Sequence, residues 1–374
     1  MNAKRITALA LALVMTLLLA ACGSKTVVND DGTKTEQTER GVKVTQTAAK
    51  AVQTEKYETA DFSMTIPKGW TVTSGGTNIY HSIRVYDPAE PLNQMFVLLK
   101  ADVLLYSQAG KEAWQQNYSM GNTQAALFTK AAVLDNPSTE GFFKIFSQYT
   151  AFASEVEPAY SGYAFPRFDN FAVTERYPSA SPMKSSALGD EQLRATFTDN
   201  GKEGEGLFAA SVVDFGSFAI SNGNVVGYQL QAVDGGYYMA YNIVAVTAAK
   251  DTFIEWEGVL TDCFKTLQYS DSFVSTTNQA SNEKVALAQQ ISQNFNATMD
   301  GFMSSWESRN RSQDIMSQKQ SDATLGYERV YDTETGEIYK ATNGFTDVYD
   351  GKRYKAVTDD NMYAEPVSGY IEKQ

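Results

Sequence analysis

The chain is poor in the side chains that most often carry chemistry. Across 374 residues it has one histidine, His81, and two cysteines, Cys22 and Cys263. A single histidine excludes a His–Cys zinc cluster and makes any Ser-His-Asp arrangement rest on that residue alone. His81 stands in Ile79-Tyr80-His81-Ser82-Ile83 without a companion suited to proton transfer, so a structural or an exposed position is expected and not a catalytic one. Positive charge is also short: 31 Lys and Arg face 44 Asp and Glu, a formal net charge of −13. Such a surface repels nucleic-acid phosphates and anionic lipid head groups, which argues against a nucleic-acid partner. Nucleotide, flavin and haem motifs do not stand out. GKEGEGLF, starting at Gly201, has glycines but lacks the Gly-Lys-Ser/Thr ending of a phosphate loop. The acidic turn residues Asp332, Glu334 and Glu337 do not complete a twelve-residue calcium loop. No catalytic residue, metal ligand or cofactor is assigned on these grounds.

What the chain does have begins at its first residues, MNAKRITALALALVMTLLLAAC. Lys4 and Arg5 precede an apolar run from Ile6 to Leu19 that suits a cleaved signal peptide over 1–21 better than a retained spanning helix. Leu19-Ala20-Ala21-Cys22 resembles the lipobox of bacterial lipoproteins. That resemblance implies cleavage before Cys22, diacylglycerol on its thiol, and attachment to the extracytoplasmic face of the cell membrane. The alternative is an ordinary secreted protein whose signal ends in cysteine. With Cys22 acylated, Cys263 has no partner in the chain, so an ordinary core must hold the fold. Cys263 itself, in FIEWEGVLTDCFKTL, reads as a packed small hydrophobe. Residues 22–56 then read as the lipidated cysteine and a flexible, Thr-rich linker.

Order is expected from Tyr57. Phe62, Met64 and Ile66 alternate with polar residues as in a half-buried strand, Pro67-Lys68-Gly69 turns the chain, and Trp70 resumes it. This opening resembles that of the PsbP/Mog1-like domains. The resemblance implies an α+β fold, an antiparallel sheet packed against helices, over 57–275. Gln94–Leu105 is apolar enough for the middle of a sheet. Further strands are expected at 193–198, 205–215, 220–233 and 237–246, with Asp234-Gly235-Gly236 as a hairpin turn between the last two. Helices are expected as two short pieces over 108–133, then at 142–152, and at 247–267, where Phe253, Trp256, Leu260 and Phe264 share one face.

Residues 158–182 gather aromatics among prolines. Tyr160, Tyr163 and Phe168 either line a groove beside Arg167 and Asp169, a surface for a sugar or peptide, or cap the end of a sheet. A helical segment follows at 276–323, and then a small β-hairpin module at 324–374. In that module, 327–331 is expected to pair with 337–341, and 346–349 with 353–357. This tail resembles the ends of uncharacterised lipoproteins from Gram-positive bacteria, which brings no activity with it.

Together these features point to a surface lipoprotein acting as a non-enzymatic envelope binding or assembly module. Its partner would be a protein or a cell-wall glycan. The alternative is an envelope glycan hydrolase using an Asp/Glu pair. The sequence does not specify an oligomeric state.

Overall fold

The structure, a computed structural model, describes residues 25–28, 34–38, 42–46, 52–177, 181, 183–226, 228–280, 322, 326–358 and 367–373. Cys22, the signal segment and the helical segment expected over 276–323, apart from 276–280 and 322, lie outside these residues. The chain forms two compact units, one of residues 1–48 with 309–374 and one of residues 49–308.

The smaller unit begins where a flexible linker was expected. β1 (Lys25–Val28), β2 (Lys34–Thr38) and β3 (Val42–Gln46) form a continuous antiparallel ladder. In β3, Val42 and Val44 are buried while the alternating Lys43 and Thr45 are partly covered. This two-residue alternation outweighs the polar composition around it, so the linker expectation is corrected for these strands.

In the larger unit, β4 (Thr54–Glu58) pairs with β5 (Phe62–Pro67), whose Phe62, Met64 and Ile66 all point into the core. After the Pro67 turn come β6 (Thr71–Gly75), β7 (Ser82–Tyr86) and β8 (Gln94–Leu105). Helix α1 (Gln108–Ser119) starts where Ser107 Oγ accepts from the Gly110 amide at 3.1 Å. Helix α2 (Ala126–Lys130) and β9 (Ala132–Val133) follow it. The aromatic helix expected at 142–152 is two helices, α3 (Thr139–Lys144) and α4 (Phe146–Val156), separated at Ile145. β10 (Asp169–Tyr177), β11 (Ala187–Gly189), β12 (Gln192–Asp199) and β13 (Lys202–Gly216) lead to β14 (Ala219–Val226), β15 (Gln229–Asp234) and β16 (Tyr237–Ala249). Helix α5 (Phe253–Lys265), β17 (Gln268–Tyr269) on β5, and helix α6 (Asp271–Ala280) complete the described part.

The main sheet runs β10-β12-β13-β16-β8-β7-β6, with β11 on β13 and β9 parallel to β8. On one face, Met95, Val97, Leu207, Ala209, Val244 and Val246 meet α5 through Phe253, Trp256, Leu260 and Phe264. On the other, Phe96, Leu98, Phe197, Phe208, Ile243 and Ala245 meet Phe142, Phe143, Phe146 and Tyr149 of α3 and α4. This is a mixed α+β architecture of antiparallel sheets covered by helices.

One pairing differs from expectation. Residues 219–226 pair with 229–234, while β16 pairs with β13 and β8, so Asp234-Gly235-Gly236 does not join two partners. β16 is apolar on both sides and belongs at the centre of a covered sheet. β14 and β15 have little to bury and stand out as a two-stranded arm.

The smaller unit resumes with β18 (Tyr327–Asp332) and β19 (Ile338–Thr342), the expected hairpin. Residues 346–348, expected within a strand, lie in a helical turn α7 (Phe345–Val348). Phe345 and Tyr349 lie one turn apart and stack at 5.2 Å, which a strand would prevent. β20 (Tyr354–Ala356) pairs with β18, while β21 (Val367–Lys373) lies between β19 and β3. Val42 and Val44 thus share a core with Val330, Tyr339 and Ile371. The acidic turn is locked by Arg353, whose Nε and Nη2 donate to the buried Asp332 at 3.0 and 2.8 Å. A carboxylate at Val44 would be buried without a partner, at a cost of several kcal/mol. Val44→Asp should therefore speed amide exchange in β19 and β21, and unchanged protection there would contradict the shared core.

Candidate functional site

The five residues expected to form a ligand surface are placed differently from one another. Tyr160 and Phe168 are buried. Tyr160 packs edge-on against Phe165 at 4.8 Å, and Phe168 meets Phe146, Phe197 and Phe208, each at 5.1 Å. The loop that carries them is clamped to the sheet. Tyr160 Oη donates to the Tyr80 carbonyl, Tyr163 Oη bonds Ser82 Oγ at 2.8 Å, and Arg84 Nη1 donates to the Ala164 carbonyl at 3.2 Å. Gly75 and Gly76 permit this approach. A Cβ on Gly75 would stand 2.7 Å from the Tyr163 ring, and one on Gly76 would stand 2.1 Å from the Tyr80 carbonyl oxygen. Tyr160 and Phe168 therefore pack in the layer on one face of the main sheet and do not line an open aromatic groove.

Arg167 and Asp169 lie outside that packing and pair at 2.7 Å. Asp169 also accepts from Ser147 Oγ at 2.7 Å, and that hydrogen bond, with Arg167, lowers its pKa. Beside Arg167 is a cavity of about 350 Å³ lined by Ser147, Thr150, Ala151, Ser154, Phe165 and Pro166. Of the five expected residues, only Arg167 lines it.

The remaining singled-out groups are interior. His81 is caged by Phe273, Phe62 and Tyr269, with ring centroids 5.0, 5.9 and 5.9 Å away, and its Nδ1 has no hydrogen-bond partner. Burial lowers its pKa to about 4, so it is neutral at pH 7. Burial likewise raises the Cys263 thiol to about 11, which leaves it an unreactive packed side chain. The interior carboxylates Glu205 and Glu257 approach the buried Arg194 at 2.6 and 3.7 Å, and Glu175 faces it across β10 and β12. Burial opposes the charge on Arg194, yet Glu205 and Glu257 hold its pKa well above the ordinary value.

The surface with a different character is the arm and its base, which aromatic counting along 158–182 missed. Two half-buried ring groups lie there, Trp114, Phe128, Phe218 and Tyr237 in one and Tyr106 with Tyr238 in the other, and Phe215, stacked on the first, is 54% exposed. Phe215 stacks on Tyr237 at 4.4 Å with the planes 10° apart, and Trp114 stacks on Phe128 at 4.2 Å. Asp214 accepts from Tyr106 Oη and, at 3.0 Å, from the Gly216 amide. Asp234 accepts from Ser217 Oγ at 2.5 Å and from the Gly236 amide at 2.9 Å. The Ser217 bond comes first among the causes that lower the Asp234 pKa.

Helix α1 fixes the arm's direction. Trp114 Nε1 donates to the Gly235 carbonyl at 3.0 Å, and Asn117 Nδ2 donates to the Ser221 carbonyl at 2.7 Å. Gly110 lets the helix approach, since a Cβ there would stand 2.7 Å from the Asp234 carbonyl oxygen. Chemically, this is a platform of π faces with two carboxylates at its edge, suited to stacking on a sugar ring or a peptide side chain. The sequence signal that could have found it is the absence of any charged residue from Phe218 to Val233, in a chain that is 20% charged.

Comparison with protein-family models and with curated proteins finds no match for this chain.

Two outcomes follow from this geometry. Trp114→Phe keeps a ring in the stack but loses the bond to Gly235, a loss of about 1 kcal/mol. Amide exchange across 219–234 should quicken in that variant, and unchanged exchange would show that α1 does not hold the arm. His81 supplies a pH dependence. The unfolded chain takes up its proton near 6.5 and the fold only near 4. The unfolded state therefore binds more protons between those values, and stability falls as the pH drops through that window, by roughly 3 kcal/mol in full. His81→Phe should lose less urea resistance than the parent between about pH 7 and about pH 4.5, and equal losses would contradict this.

Proposed function

We propose that this chain is a lipoprotein anchored through Cys22 at the extracytoplasmic face of the cell membrane. There its larger unit serves as a non-enzymatic binding or assembly module for an envelope protein or cell-wall glycan. The observation that carries the reading is the aromatic base of the arm, where Phe215 is left open on top of Tyr237. An exposed, ordered aromatic surface of this kind is characteristic of binding sites. The PsbP/Mog1-like assignment draws support from β5, the Pro67 turn, and Trp70 packed 5.3 Å from Trp256 of α5. The α5–β17 ending adds to it. Among the described residues no helix is long and apolar enough to cross a membrane. The proposed attachment rests instead on the Leu19-Ala20-Ala21-Cys22 motif.

The test is retention of the purified protein on cell-wall fragments and on solubilised envelope proteins. Selective retention is expected on one of the two, weakened roughly tenfold or more by Phe215→Ser, as for a central stacking residue. No selective retention on either would end the binding reading, and release of reducing ends from the wall fragments would favour the hydrolase alternative. Mass spectrometry of the mature N-terminus should find acylated Cys22, and an unmodified cysteine would remove the anchor.

A further inference from the structure

The tip of the β14–β15 arm is a second surface, distinct from the aromatic base. Val225, Val226 and Leu230 are 60%, 66% and 65% exposed, and Tyr228 is fully exposed. All four sit at the distal end, where Val225 pairs with Leu230 and Val226 with Gln229. The outward-facing backbone groups of this two-stranded ribbon still need water, which limits the tip to the hydrated interfacial layer. The nearest charges along the chain are Asp214 and Asp234, both at the arm's base.

We infer that this tip enters the interfacial layer of a zwitterionic lipid bilayer. Four apolar side chains on the end of a two-stranded arm present far less area than a stable protein–protein interface needs, which is on the order of 1,000 Å². The same small area suffices for shallow insertion, in which aliphatic groups reach the acyl boundary and a tyrosine sits among the head groups. Charge selects the lipid. The chain carries a formal −13, which anionic head groups repel, and the arm offers no cation to bridge them. Neutral head groups impose no such penalty. The inference rests on the location proposed above only in requiring a bilayer within reach.

The experiment places a nitrobenzoxadiazole label at the tip of the full chain carrying Cys22→Ser and Tyr228→Cys. Cys263 is buried with its thiol raised to about 11 and stays unlabelled. A control carries the label at Leu188→Cys, an exposed position on β11. With phosphatidylcholine vesicles containing nitroxide lipid, the label at 228 should shift to the blue and be quenched, and the label at 188 should not. Molar salt should leave the quenching in place, and Val226→Asp should weaken it roughly tenfold or more. No shift on vesicles would overturn the inference. So would quenching that needs anionic lipid, a blue shift that grows with protein concentration without lipid, or a shift produced only by lipid-free envelope proteins. Because Cys22 is absent, failure here is separate from failure of lipidation or of wall binding.

Discussion

Burial of β8 and β16 on both faces is the constraint on which the larger unit depends. The two strands lie side by side at the centre of the nine-stranded sheet, and nearly every side chain along them is buried. An antiparallel pair of this kind needs a layer on each side. α5 supplies one, with Phe253, Trp256, Leu260 and Phe264. α3, α4 and the loop around Phe165 and Phe168 supply the other. Tyr160 and Phe168 are consumed in building that second layer, which is why they are not free to line a groove.

The same constraint places the aromatic base. β16 starts at Tyr237, which pairs with Gly216 on one side and Leu105 on the other. Beyond that row β14 and β15 leave the main sheet and pair with each other as the arm, held by α1 through Trp114 and Asn117. The rings at this margin are half-buried because they close the end of the core while still meeting solvent. The buried cations of the larger unit are tied off: Arg84 to Gln94 and the Ala164 carbonyl, Arg194 to its carboxylates, and Lys100 to Asp102. The Arg84 and Arg194 contacts fix strands and loops together, while Lys100 and Asp102 pair within β8.

Local periodicity made some of this legible in the sequence. The alternation of Phe62, Met64 and Ile66, the unbroken apolar run of β8, and the three-to-four spacing along α5 each report burial directly. The arm was not legible, because a pairing partner is a long-range property. Asp234-Gly235-Gly236 reads as a turn wherever it occurs, and only the pull of β16 into the sheet centre decides that it joins non-partners. β1 and β2 were hidden by Thr- and Gln-rich composition, and only Val42 and Val44 of β3 carry an apolar alternation. Aromatic clustering at 160–171 was visible, but clustering does not tell a packed ring from an exposed one. Charge absence over 218–233 was the better guide to the surface.

The central claim is that contact with the envelope is made by the arm and its aromatic base, while the 158–169 loop is structural. Hydroxyl-radical footprinting of the protein in native membranes, compared with the protein extracted from them, tests it most directly. The account predicts that Phe215 and Tyr228 are protected in membranes and become reactive on extraction, with Tyr163 and Phe165 unchanged. Protection confined to residues 158–169, with Phe215 and Tyr228 equally reactive in both states, would contradict it.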